Sequence, residues 1–365
     1  MMLRTGFANL PLHPGKAPYW LFLRMVDLSG AIAEAVVSEY GTDEFLRRLS
    51  DPYWFQGLGC VIGFDWHSSG LSTTTCGALK VALGKIDMGI RVAGGKGIVS
   101  RRTPVEISEI GDFFALSDER IARLRYSSLM SAKVDNSLIQ DNYDLYHHCF
   151  FVSDKGRWSV VQQGMDCAKG YARRYHWLCS RVDSFVDEPD QSICCEERKD
   201  CVLDMTSKDS KDAKKISLDI VKDGNFGYFI DSRQRTLPEF FSSRNFSMKR
   251  GHYITDMRKT NIETLKRAYE FQPKDYEEFV GLRGVGAKTI RSLALVSELV
   301  YGKPASWDDP VKYSFAHGGK DGIPYPVDKE TYDSSVCMLR NAIRQSKLGD
   351  KDKLMAIKRL SGLYS

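Results

Sequence analysis

Residues 275–301 read Asp-Tyr-Glu-Glu-Phe-Val-Gly-Leu-Arg-Gly-Val-Gly-Ala-Lys-Thr-Ile-Arg-Ser-Leu-Ala-Leu-Val-Ser-Glu-Leu-Val-Tyr. The pattern predicts a helix, a Leu-Arg-Gly-Val-Gly turn and a second helix, with Leu282, Val285, Ile290 and Leu293 placed to pack the helices together. Gly284 and Gly286 allow a tight reversal and let an anion approach the backbone, and the N–H groups and dipole at the start of the second helix attract it. Lys288 and Arg291 add positive charge at the same end. Gly284, Val285, Gly286, Lys288, Thr289 and Arg291 therefore form an expected backbone-binding set. Phosphates carry no base information, so the expected partner is DNA, bound largely without regard to sequence and with strong salt dependence.

Outward from this block, Asn261 to Tyr301 is helical by pattern, and Lys329–Gln345 and Lys351–Leu360 supply two more helices. Towards the N-terminus, His-His-Cys-Phe-Phe-Val from His147, then Ser-Asp-Lys-Gly, then Arg-Trp-Ser-Val-Val-Gln-Gln, spells strand, turn, strand. Residues 19–50 read as two helices with Gly30 and Gly41 as breaks, Cys60–Phe64 as a buried strand, Ser72–Thr75 as loop and Ala78–Leu83 as a short helix. Thr103 and Pro104 mark a helix start after a basic glycine loop. The expected fold is α+β: a mixed N-terminal module over residues 1–186 containing the β-hairpin, a charged linker or surface insertion over 187–224, and an all-helical domain over 225–365 holding the helix-hairpin-helix.

The 365 residues, 42% hydrophobic and 11% aromatic, suffice for two packed cores. The net charge of +5 is uneven, since residues 187–224 hold eleven acids against seven bases and leave +9 on the rest, which favours a polyanionic partner. The nine cysteines lack knuckle spacing, and no secretory leader is read, so reduced thiols in a cytoplasmic protein are expected. No apolar run is long enough to span a membrane, and no membrane partner is expected. The glycine loop with Lys96, Arg101 and Arg102 lacks Walker spacing, so no nucleotide cofactor is expected.

The turn resembles that of helix-hairpin-helix DNA glycosylases. The resemblance covers roughly residues 252–345 and sets Lys288 of Gly284-Val-Gly-Ala-Lys-Thr289 at the position of the Schiff-base lysine and Asp328 of Tyr325-Pro-Val-Asp328 in the aspartate segment. It implies a DNA-repair enzyme of glycosylase/AP-lyase type with Lys288 and Asp328 as catalytic residues and no cofactor. The two lie 40 positions apart, with Trp307–Ile323 between them and Glu330 where the family has histidine. Lys288 as a phosphate-side base and Asp328 as a helix N-cap are the alternatives. Trp307, Tyr313, Phe315 and Tyr325 could line a base pocket or pack a core. Over its whole length the chain also resembles the mostly archaeal family catalogued as domain of unknown function 763, through Phe64-Asp-Trp-His-Ser-Ser-Gly-Leu71, Ala132-Lys-Val-Asp-Asn136, Tyr146-His-His148, Val161-Gln-Gln-Gly164 and Arg173-Arg-Tyr-His-Trp177.

Two further readings remain open. Asp65, His67, Asp135 and Asp141, with His147 and His148 nearby, are hard or borderline ligands that could hold a divalent metal for phosphodiester cleavage, making the protein a nuclease. Adjacent His147 and His148 on a strand point to opposite faces, so one at most joins a given site. Arg173, Arg174, Tyr175 and Trp177 interleave bases and aromatics, which suits nucleic-acid contact or, equally, snorkelling over a core edge. The third class is a DNA-binding protein without catalysis.

Overall fold

A computed structural model describes residues 17–64, 68–194, 199–224, 262–311 and, in part, 337–361. Four helices come first: α1 (Tyr19–Tyr40), α2 (Thr42–Leu49), α3 (Pro52–Val61) and α4 (Gly70–Lys85). The strand β1 (Ile90–Lys96) leads through a 3-10 turn into α5 (Thr103–Phe113) and α6 (Asp118–Lys133), which ends in a π turn at Val134–Leu138. Then follow β2 (Ile139–Gln140), β3 (Asp144–Ser153), β4 (Trp158–Asp166), β5 (Tyr171–Leu178), β6 (Ser192–Cys194) and β7 (Leu203–Asp204). The remaining described helices are α7 (Lys211–Asp223), α8 (Ile262–Phe271), α9 (Tyr276–Gly281), α10 (Ala287–Tyr301) and α11 (Asp350–Ser361).

The main sheet is antiparallel in the order β1-β3-β4-β5-β6, and β2 pairs with β7 in a small second sheet. The expected hairpin is β3–β4, closed by Arg157 O accepting from Ser153 N at 2.9 Å. Residues paired directly across antiparallel strands share a face, so the registers divide the sheet cleanly. Phe151, Cys149 and His147 on β3, Val161 and Gln163 on β4, and His176 and Arg174 on β5 lie on one face. Phe150, Val160, Tyr175 and Trp177 lie on the other.

Each face carries its own core. On the first, Phe151 and Val161 pack with Ile32, Phe45, Phe55 and Leu79 of α1–α4, joined by Ala356 of α11. On the second, Phe150 and Trp177 pack with Leu124 of α6, Ile220 of α7, Leu265 of α8, Phe279 of α9 and Leu293 of α10. The sheet thus separates two helical layers. At roughly 25 cal/mol per Å² of apolar surface, burying both faces is the main source of stability.

Several expectations change. Gly30 does not break α1: its missing Cβ brings the helix close to α4, where an added Cβ would stand 3.1 Å from that of Ala82. Gly41, at φ +86°, is the break. Cys60 and Val61 end α3 rather than forming a strand, because Asp51 accepts from the Tyr53 and Trp54 N–H groups and nucleates a helix whose residues are buried all round. Such a helix has no amphipathic period to read. Ser72–Thr75 lie within α4, with Ser72 and Thr75 on its buried face. Residues 187–224 hold no solvated linker in their described part: Val202, Leu203, Met205, Ala213, Ile220 and Val221 enter the second core. Many of their described charges are exposed, as along α7, and Lys214 pairs with Asp187 at 2.5 Å. Nor do α8–α11 enclose a core of their own, since they complete those on the two faces of the sheet. The described residues of the helix expected over 329–345 are helical, and α11 matches the last helix expected.

Candidate functional site

The Gly-rich turn lies where the sequence placed it. Asp275 caps α9 by accepting from Glu278 N at 2.7 Å, the chain reverses through Leu282–Gly286, and α10 begins at Ala287. Gly284 needs its glycine: φ is +95°, and an added Cβ would stand 2.7 Å from Thr264 Oγ1 and 3.1 Å from Arg267 Nη2. Val285, Ile290 and Leu293 are buried as expected.

No side chain caps the start of α10. Arg283, Gly284 and Lys288 are exposed there, with exposed Arg267 of α8 beside the turn. Thr289 is buried, and Arg291 is half-buried and donates to Gln140 Oε1 at 2.7 Å. Of the expected backbone-binding set, the residues on the surface of this end are therefore Gly284 and Lys288, with half-buried Gly286 between them.

Beneath the turn lies a residue the sequence did not single out. Lys133, at the end of α6, directs its ammonium at the carbonyls of Val280 (2.5 Å), Leu282 (2.5 Å) and Val285 (3.1 Å). Three donors meet three acceptors, which satisfies carbonyls left over at the end of α9. Burial pushes the Lys133 pKa down to about 8, so the side chain is still charged at neutral pH. Lys133 and Gln140, whose amide also donates to Ala287 O at 2.8 Å, help to seat the turn on the rest of the molecule.

Of the expected carboxylate metal site, only Asp135 and Asp141 lie among the described residues, and Asp65 and His67 lie outside them. Asp135 and Asp141 lie on the second face of the sheet and are committed elsewhere. Asp141 Oδ2 accepts from Arg173 Nη1 at 2.8 Å and from the Tyr175 hydroxyl at 2.8 Å. The guanidinium supplies the positive charge that a cation would bring. Asp135 accepts from Trp177 Nε1 at 2.8 Å and from the Gln162 amide, and burial pushes its carboxyl well above the usual range. Gln162 Oε1 in turn meets His148 Nδ1 at 2.7 Å, and His148 Nε2 meets Ser128 Oγ at 2.9 Å, a buried chain that ties α6 to the sheet.

Arg173, Arg174, Tyr175 and Trp177 were candidates for nucleic-acid contact, and all four are buried. They lie on the interior strand β5, so alternate residues feed opposite cores. Arg173 also holds Asp309 with two bonds, Nη1–Oδ1 3.0 Å and Nη2–Oδ2 2.7 Å. Arg174 donates to Gln56 Oε1 at 2.7 Å and stacks over Phe55. Trp307 is buried with Nε1 on Glu298, a packing role, while Tyr313, Phe315, Tyr325 and Asp328 lie outside the described residues.

The first face of the sheet carries a polar stripe inside an apolar layer. Cys149 and His147 are two apart on β3 and share that face, and Cys76 of α4 comes down on them, the three potential ligand atoms lying within 4.8 Å of one another. All three residues are buried. The Cys76 thiol, donating to Cys149, holds the Cys149 thiol well below the usual range, with His147 beside it adding to the effect, while burial raises Cys76. His148 faces away, as strand alternation requires. The period-2 run at 147–149 could have placed His147 and Cys149 together, but nothing local in the sequence links them to Cys76.

A two-layered helical protein folded about a five-stranded antiparallel sheet is the class these observations define. The family model described as "Protein of unknown function (DUF763)" matches residues 6–327, and the chain belongs to that family. No curated protein and no solved structure matches it. Among the described residues, no helix is long and apolar enough to cross a membrane.

Proposed function

We propose that the protein binds DNA through its sugar-phosphate backbone, using the α9–α10 turn. The observation that carries this reading is the uncapped start of α10 with Arg267, Arg283 and Lys288 exposed around a glycine turn. Free N–H groups and a helix dipole favour an anion there, and the three side chains extend the positive field over adjacent phosphates. Lys133 supports the function indirectly by holding the turn in one conformation, so that little ordering remains to be done on binding.

Lyase chemistry at Lys288 is the finer form of the proposal. The amine stands in the first turn of α10, beside the place a phosphate would occupy, and in its neutral form would attack the C1′ aldehyde of an abasic sugar, forming an imine with loss of water. Borohydride trapping on a duplex with one abasic site, in EDTA, tests that form: an adduct lost in Lys288→Ala supports it, and no adduct removes it while leaving backbone binding intact.

Binding itself is tested by fluorescence anisotropy on duplexes of unrelated sequence over a salt series. The Arg267→Ala, Arg283→Ala, Lys288→Ala triple variant is expected to weaken binding to every duplex alike and to flatten the salt slope by about 1 per base removed. Unchanged affinity and slope would overturn the proposal.

A further inference from the structure

We propose that Cys76, His147 and Cys149 form a zinc site between α4 and the central sheet. The argument begins with the imidazole. His147 is 1% exposed, and its ring nitrogens have no oxygen or nitrogen partner, the nearest polar neighbour being the Cys149 sulfur. An unsatisfied buried polar atom costs about 1–3 kcal/mol, and native proteins rarely keep one without an ion or water in attendance. What His147 faces is a pair of sulfurs. The same stripe leaves Thr75 Oγ1, Gln163 Oε1 and His176 Nε2 without hydrogen-bond partners, so unsatisfied polar atoms gather on this face of the sheet.

The donor set selects the ion. Two thiolates and one imidazole suit a borderline-soft divalent metal, and two thiolates cancel its charge inside an apolar layer. Bonds of about 2.3 Å to sulfur and about 2.0 Å to nitrogen set tetrahedral ligand atoms roughly 3.5 Å apart. Atoms already within 4.8 Å of one another close on a metal through small side-chain movements. The three residues leave the fourth corner to water.

The site could not be found by motif. Two ligands come from one strand at a spacing of two, and the third lies more than seventy positions earlier on a helix, whereas zinc knuckles announce themselves by paired local cysteines.

Metal content of the reduced, full-length protein, purified without chelator and measured by mass spectrometry, tests the inference without DNA. About one zinc per chain is expected in the wild type, falling towards none in Cys76→Ser, His147→Asn and Cys149→Ser, with the exposed Cys167→Ser as the unaffected control. Should these variants fail to fold, cobalt(II) added to the reduced metal-free wild type reports directly: thiolate-to-cobalt charge-transfer absorption with the strong visible bands of four-coordination is expected. Overturning results are a reduced wild type that takes up neither zinc nor cobalt, a cobalt spectrum without thiolate bands, or folded variants that keep their metal.

Discussion

At the scale of single residues, the interior is governed by which buried groups have partners. His176 donates through Nδ1 to the Leu49 carbonyl at 2.8 Å and packs edge-on to Phe55, and burial, with Arg174 nearby, holds its pKa well below the usual value. The unfolded chain therefore takes up a proton below about pH 6.5 that the folded chain refuses, and this contribution to stability is lost as pH falls through that value. His176→Gln does not titrate, so the stability difference between wild type and variant should shift against the wild type between pH 7 and pH 5, measured by urea unfolding at each pH. An unchanged difference would mean that His176 titrates alike in the folded and unfolded chains. The alternation of His147 and His148 across β3 was legible because a strand's period is two. The fate of Arg173–Trp177 was not, because interleaved bases and aromatics look alike on a solvent-facing helix and on an interior strand whose bases find buried partners such as Asp141, Asp309 and Gln56.

Among the elements, the α9–α10 pair shows how much of its behaviour is set from outside. Lys133→Met keeps the length of the side chain and removes its three donors, leaving the carbonyls of Val280, Leu282 and Val285 without them. A loss of about 2 kcal/mol is expected in urea unfolding, together with faster amide exchange in α9 and the first turn of α10. Equal protection in both proteins would show that the turn holds its shape unaided. The turn itself was legible in the glycines, the buried Leu-Val-Ile positions and the Asp275 cap, all of which are local signals. Its seat was not, since Lys133 lies some 150 positions away. The N-terminal helices show the opposite failure. α3 is buried on every side, and Ser72 and Thr75, buried on the inner face of α4, look like loop residues to any reading that takes polarity for exposure.

For the whole molecule, the acidic segment and the C-terminal helices are bound into a single architecture by long-range polar contacts. Asp309 is the clearest: it grips Arg173 with two bonds and accepts from Lys199 N at 2.8 Å, while Asp204 N reaches Ser306 O at 3.0 Å. Asp309→Asn leaves Arg173 only Asp141 as an ionised carboxylate partner among the contacts described above, and breaking a buried pair from one side costs about 3–5 kcal/mol. Unfolding of the variant in urea should remain a single transition with a lower midpoint. A separate early transition for the C-terminal helices would instead show that they form an autonomous unit. The expected boundary after residue 224 rested on charge and scarce aromatics, and composition alone cannot tell a linker from a segment that buries Val202, Leu203 and Ile220 while turning its charges outward.

The second core has a consequence for the order in which the molecule can be made. Its sheet face is complete once Trp177 of β5 and Ile193 of β6 have been synthesised, yet the residues that cover it extend to Trp307 and Val311. At about 5–20 residues per second, a ribosome needs on the order of ten seconds to pass from Trp177 to Trp307. During that interval Phe150, Val160, Tyr175 and Trp177 lie on an only partly roofed sheet, so the nascent chain passes through a stage that invites a chaperone's attention before its last helices arrive.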